Sequence, residues 1–169
     1  MSRLRAGAAL GLVAGLSLRP LLRRVLMLRL RPDVERINDG DYGPFLSAYA
    51  EDAVLHFNDG PHRWAGDHRG REAIEGFLRD FVAAGLKVKL KDLWLSGPPW
   101  SMTVIARLDD EARGPGGELL YANRVVIVLQ TRWGKIVRHD DFYEDTSQMG
   151  AFDAALRDLG IHPVAEARI

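Results

Sequence analysis

The chain predicts an α+β fold, a curved antiparallel sheet with helices packed on one face, preceded by a basic helix. Helical periodicity gathers in the first half, and four long stretches rich in β-branched and aromatic residues follow it. Turn signals rather than helices separate those stretches, so neighbours can pair as antiparallel hairpins. A doubly wound parallel sheet would need helices between its strands, and the sequence supplies none there.

The 169 residues suffice for one domain with a modest addition, and a second full domain would not fit. With 47% hydrophobic and 27% charged residues the chain can bury a core, which argues against wholesale disorder. Lack of cysteine excludes structural disulfides, thiolate metal sites and a cysteine nucleophile. The net charge of zero hides an asymmetry, because residues 1–32 hold seven arginines and no acid while the remainder holds 16 basic and 23 acidic side chains. A basic tail on an acidic body suggests two environments, with the tail beside anionic lipid or nucleic acid and the body in solution. No basic patch on the body supports a nucleic-acid partner.

The first element is the arginine-rich extension, residues 1–32. Ala6 to Leu18 is a run without charge, too short to span a bilayer, which takes about 20 apolar residues. A signal peptide is disfavoured because Gly15 and Ser17 make a poor cleavage site and more arginines follow at once. From Leu21 to Arg31, Leu21, Val25 and Leu28 share one helical stripe while arginines cluster elsewhere. Such a helix can lie in a membrane interface, or pack on its own domain or on a second subunit. The expected location is cytoplasmic, with peripheral membrane contact through residues 1–32.

Residues 33–160 form the domain and 161–169 a tail. Asp33 to Ile37 continue a helix that ends around Asn38-Asp39-Gly40-Asp41, and Tyr42 to Tyr49 read as a short helix. Val54 to Phe57 is a short strand closed by Asn58-Asp59-Gly60-Pro61. Arg71 to Gly85 is the clearest helix, with Ile74, Phe77, Leu78 and Phe81 recurring at three- and four-residue steps. Val88 to Leu95, Met102 to Leu108, Leu119 to Thr131 and Lys135 to Tyr143 then read as strands, and Met149 to Leu159 as a last short helix.

Several words of this sequence carry a resemblance. Asn38-Asp-Gly-Asp-Tyr, Tyr49-Ala-Glu-Asp-Ala-Val-Leu-His-Phe, Gly70-Arg-Glu-Ala-Ile and Gly134-Lys-Ile-Val-Arg-His-Asp-Asp-Phe-Tyr occur in an order that resembles the nuclear transport factor 2-like superfamily, and within it the SnoaL-like proteins. The resemblance covers roughly Asp33 to Leu159. It implies a cone-shaped sheet wrapped around a pocket closed by helices on its concave face, and a homodimer through the outer sheet face. Relatives include ketosteroid isomerases, limonene-type epoxide hydrolases, polyketide cyclases and non-catalytic binders, so the fold alone does not set the activity.

Alternate side chains of a strand share a face, so His139, Asp141 and Tyr143 point one way, and His56 and Asn58 share the side of Val54. By resemblance to the epoxide hydrolases, Asp141 falls at a catalytic carboxylate, His56 and Asn58 at residues that hold a water, and Arg124 at the arginine between two acids. Val126 stands where the second acid would be, which removes half of an acid–base pair. The ketosteroid isomerase pattern fits less well, with Phe57 at its proton-shuttling aspartate and Asp33 at its oxyanion-holding tyrosine. The polyketide cyclases pair one carboxylate with a histidine, a combination that Asp141 with His139 or His56 could supply.

The sequence thus leads to Asp141 as general base, with His56, Asn58 and His139 positioning water or substrate. Arg124 would orient the acid, unless it merely ties two strands through an ion pair, and Tyr143 would donate a hydrogen bond. Trp64 and Trp100 are expected to line the pocket mouth, Trp94 and Trp133 to serve core or interface. His56, His62 and His68 lack the spacing of a helical metal pair and read as solvated loop residues, so no metal is expected. Asp109-Asp-Glu reads as a solvated hairpin run. No phosphate loop or nucleophile elbow is present, and no cofactor is expected. The expected ligand is a small, mostly apolar molecule such as a polyketide, terpenoid or steroid-like compound, bound for cofactor-independent isomerisation, cyclisation or epoxide hydrolysis. The alternative is a non-catalytic ligand-binding or membrane-tethered accessory protein.

Overall fold

A computed structural model describes residues 3–164, with side chains from Pro20 onward. Helix α1 spans Arg3–Asn38 and α2 Gly43–Ser47. Strands β1 (Tyr49–Phe57) and β2 (Gly66–Arg69) precede α3 (Arg71–Ala83). Then come β3 (Lys87–Ser96), β4 (Thr103–Arg113), β5 (Leu119–Arg132) and β6 (Lys135–Tyr143), and α4 (Ser147–Asp158) closes the chain. The six strands form one curved, unclosed sheet in the order β2-β1-β6-β5-β4-β3. Register shifts interrupt four of its five pairings, and such irregularities bend strands and deepen twist.

The sheet is antiparallel throughout except where β1 meets β6, which pair in parallel with Leu55 opposite His139. Strand alternation decides what faces the helices. Ala53, Leu55 and Phe57 of β1, Val104, Ala106 and Leu108 of β4, and Tyr121, Val125 and Leu129 of β5 are buried on the inner side. Helix α3 lays Ile74, Phe77, Leu78 and Phe81 over β1 and β2, each such side chain contributing about 2 kcal/mol when fully buried. Gly85 ends it one position past the C-cap at φ +69°, a left-handed conformation that glycine adopts without strain.

Helix α1 runs beside β3. Its Leu26, Met27 and Leu30 pack against the cluster of Leu93, Ala106, Leu108 and Val125. Arg23 pins it further through the Leu93 carbonyl, 2.8 Å away, and the Asp92 carboxylate. The stripe that does the packing is therefore not the Leu21-Val25-Leu28 stripe that periodicity makes conspicuous. The uncharged run Ala6 to Leu18 lies outside the described side chains. Among the described residues, no helix is long and apolar enough to cross a membrane.

Three local expectations are corrected, and one strand is added. Tyr49 belongs to β1 rather than to the helix before it, because pairing with Ile136 of β6 extends the strand through the polar Glu51-Asp52. β2 is short and polar and shows no alternation that would announce it. β4 continues five residues beyond Leu108, to Arg113. His62 is buried and packs edge-on against Phe57, with a ring-centroid separation of 5.6 Å, so it is not a solvated loop residue.

Candidate functional site

Between the sheet, α1, α2 and α3 lies a cavity of about 100 Å³ with almost entirely apolar walls, among them Val34, Phe45, Phe77 and Leu129. The polar side chains on it are Asp33 of α1 and His139, Asp141 and Tyr143 of β6. The three β6 residues are there because they alternate along one strand whose inner side faces the helices.

Asp141 and His139 are both buried, and His139 Nε2 lies 2.9 Å from Asp141 Oδ1. The second ring nitrogen, Nδ1, is 2.5 Å from the Tyr49 hydroxyl, whose ring stacks on the imidazole at a centroid separation of 6.0 Å. With the Nε2 proton donated to the carboxylate, Nδ1 accepts from Tyr49, a tautomer assigned from these partners. Burial, then the charge of Asp141, holds the Tyr49 phenol well above its ordinary pKa, so it remains a donor. The result is a buried chain, Tyr49 to His139 to Asp141. Among the described residues only Oδ1 of Asp141 has a hydrogen-bond partner, which leaves Oδ2 available to a guest in the cavity.

A second carboxylate stands close by. Asp110 of β4 is 2% exposed and accepts from Tyr121 at 3.3 Å and from the Tyr143 hydroxyl, while its Oδ1 is buried without any partner. Burial pushes its pKa up to about 7 against the opposing hydrogen bonds of the two tyrosines, with the charge of Asp141 adding to the rise. Tyr143, which lines the cavity, is held protonated by burial and by the negative charges of Asp110 and Asp141. Asp110 itself borders a separate open polar groove of about 860 Å³ lined also by Lys89, Glu111, Arg124 and Asp145. The sequence reading missed this residue by ending the strand too early. The inward positions Val104, Ala106 and Leu108 continue to Asp110 and Ala112, and that alternation was the available signal.

The remaining candidates do not gather at the cavity. His56 occupies an even position of β1, faces outward and pairs with Asp67 at 2.8 Å. That contact is the leading cause holding the Asp67 carboxyl below its ordinary pKa. Asn58 lies just past the end of β1, where its side-chain nitrogen is 3.4 Å from His62 Nε2 and its Oδ1 is buried unpaired. Arg124 is on the outer face, because β5 turns its odd positions inward, and it forms a two-pronged pair with Glu144 instead of orienting Asp141. Val126 is exposed on that same outer face. Trp64 is fully buried and stacks on Phe152 at 5.9 Å, so it is a packing residue rather than a pocket wall. Trp100 is exposed in the β3–β4 turn, and Trp94 and Trp133 are exposed as well, which rules out a core role for either.

The SnoaL-like domain family matches residues 34–139. The chain belongs to the SnoaL-like family. No curated protein matches the sequence. Among solved structures, an NTF2-like protein from Burkholderia pseudomallei is 21% identical with a TM-score of 0.63, covering 75% of this chain and 95% of that one. A candidate polyketide cyclase from Xanthomonas campestris is 19% identical with a TM-score of 0.53, covering 77% of this chain and 98% of that one. The epoxide hydrolase/cyclase-like enzyme SalBIII, described for pyran ring formation in the polyether salinomycin, is 17% identical with a TM-score of 0.56, covering 70% and 89%. At these identities the likeness establishes the fold, and this SnoaL-like protein's chemistry rests on its own residues.

Proposed function

We propose that this SnoaL-like protein binds a small, mostly apolar molecule in the cavity between sheet and helices and carries out acid–base chemistry on it without a cofactor. The observation that carries the reading is the Tyr49-His139-Asp141 chain at the polar end of an otherwise apolar cavity. Asp141 acts as general base, with His139 holding its orientation and Tyr49 holding the imidazole. Tyr143, kept protonated, turns its one O–H from Asp110 to an oxygen on the substrate as charge develops there. Isomerisation, cyclisation and epoxide opening all need this pairing of a base with a donor. The described likenesses to a candidate polyketide cyclase and to SalBIII accord with that class.

The test starts from a thermal-shift screen of polyketide, terpenoid and steroid-like compounds, since a ligand bound only by the folded state raises the melting temperature. With a hit in hand, Asp141→Asn is expected to lower turnover by about 10²- to 10⁴-fold while the thermal shift persists. Equal turnover by a folded Asp141→Asn protein defeats the assignment of Asp141 as the base, and binding with no turnover by the native protein leaves a ligand-binding protein.

We further infer that two copies join through the outer sheet face. Trp94, Val126 and Phe142 are exposed there, and among the described residues no helix covers them. Both signs of charge border them, Lys91 with Asp109 and Arg138 with Asp140, an arrangement suited to a second copy of the same surface.

A further inference from the structure

Helix α1 has two apolar stripes, and the fold uses one. Leu26, Met27 and Leu30 face the domain, and farther along Val34 and Ile37 continue the same side into the cavity wall. At 3.6 residues per turn, Leu21, Val25 and Leu28 fall on the opposite side. They are open to solvent there, Leu21 at 57% and Leu28 at 64%, with Leu22 exposed beside them. A helix that packs on its own domain through one stripe gains nothing from keeping a second in water.

From Pro20 to Pro32 the charges beside this second stripe have one sign, and the first acid on that side is the exposed Glu35, one turn beyond Arg31. Helical periodicity places Arg24 and Arg31 along one margin and Arg29 along the other. Among the described residues none of the three has a carboxylate partner, whereas Arg23, on the packed side, is paired with Asp92. No acid occurs anywhere in residues 1–32, so nothing in the extension itself neutralises them. This differs from the outer sheet face, where acids and bases alternate and a copy of the same surface would be complementary. Two copies of the α1 stripe would bring arginines against arginines.

We propose that the outward stripe of α1 docks the protein in the plane of an anionic lipid bilayer, with Leu21, Leu22, Val25 and Leu28 reaching the acyl boundary and Arg24, Arg29 and Arg31 at the headgroups. The arginine stems cover apolar surface while their guanidinium groups meet lipid phosphate. The side of α1 that lines the cavity stays packed, so docking leaves the cavity intact. This inference stands apart from the chemistry assigned to Asp141 and would survive its failure.

Co-sedimentation of the full chain with vesicles tests it. Binding is expected to phosphatidylcholine vesicles carrying a minority of phosphatidylglycerol, to weaken as salt is raised, and to be lost on phosphatidylcholine alone. Arg24→Gln, Arg29→Gln and Arg31→Gln are each expected to weaken partitioning roughly five-fold. Leu21→Ser with Leu28→Ser is expected to abolish sedimentation with vesicles, while circular dichroism and the denaturation midpoint stay unchanged because both positions are exposed. The proposal is overturned by no binding to anionic vesicles, by equal binding to neutral ones, or by binding that the arginine and leucine variants leave intact, which would assign it to residues 1–19. It is equally overturned if the leucine variant changes the oligomeric state and not vesicle binding, since the stripe would then be a contact with a second copy.

Discussion

Asp110 ties chemistry to stability more directly than any other residue of this protein. Its pKa lies at about 7 in the folded state against an ordinary 3.8, with burial as the main cause. Between those values the native state binds more protons than the unfolded chain, so stability falls as pH rises through that interval and levels off above it. The span corresponds to about 4 kcal/mol at most. Asp110→Asn keeps the shape and removes the titration, so its urea-derived stability, compared with that of the native protein at pH 5 and pH 8, is expected to stay level while the native protein weakens. A native protein that shows no such relative loss would mean that this carboxyl is already ionised inside the fold. The same residue accepts from Tyr143, a side chain on the cavity, so a shift of its protonation would also reach the proposed donor.

At the scale of elements, the connection after β1 is held by a buried ion pair rather than by secondary structure. Arg63 and Asp153 of α4 meet at 2.5 Å with side chains 1% and 4% exposed, and Arg63 also donates to the Ile161 carbonyl at 2.7 Å. Trp64 beside it stacks on Phe152, and Phe152 stacks on Tyr121, which reaches Asp110. The loop, α4, β5 and β4 are thus one packed unit behind the site. Removing one partner of a buried pair leaves the other charge uncompensated, which costs roughly 3–5 kcal/mol. Asp153→Asn is expected to lower the denaturation midpoint accordingly. Arg157, four residues along α4 and also on Asp153, is half-exposed, and Arg157→Gln should cost well under half as much. Equal losses from the two variants would contradict the importance given to burial.

For the whole molecule, the two faces of the sheet differ in what covers them. The inner face, roofed by α1, α2 and α3, holds the cavity and the β6 residues, and the outer face carries exposed Trp94, Val126 and Phe142. Sedimentation velocity is expected to show a dimer that Trp94→Glu with Phe142→Glu converts to monomer without loss of helix or strand signal. A monomeric native protein at micromolar concentration would remove the outer face as an interface. Because β1 and β6 are neighbours that pair in parallel, Tyr49 and His139 come from segments far apart in the chain yet meet at the start of the site.

Periodicity and turn residues were enough to specify α3, the antiparallel run β3 to β6 and the shared face of His139, Asp141 and Tyr143. Those features depend on local backbone geometry and on alternation within one strand. The sequence words that resemble SnoaL-like proteins likewise pointed to a family that the match over residues 34–139 establishes. Tertiary structure alone decided that Tyr49 belongs to β1 and meets His139, that Arg124 and His56 face away from Asp141, and that Asp110 is buried. It also decided which stripe of α1 is covered. Each of these depends on which face of one element meets another, and a residue's own neighbours in sequence do not carry that relation until the strands are paired and the helices laid over them.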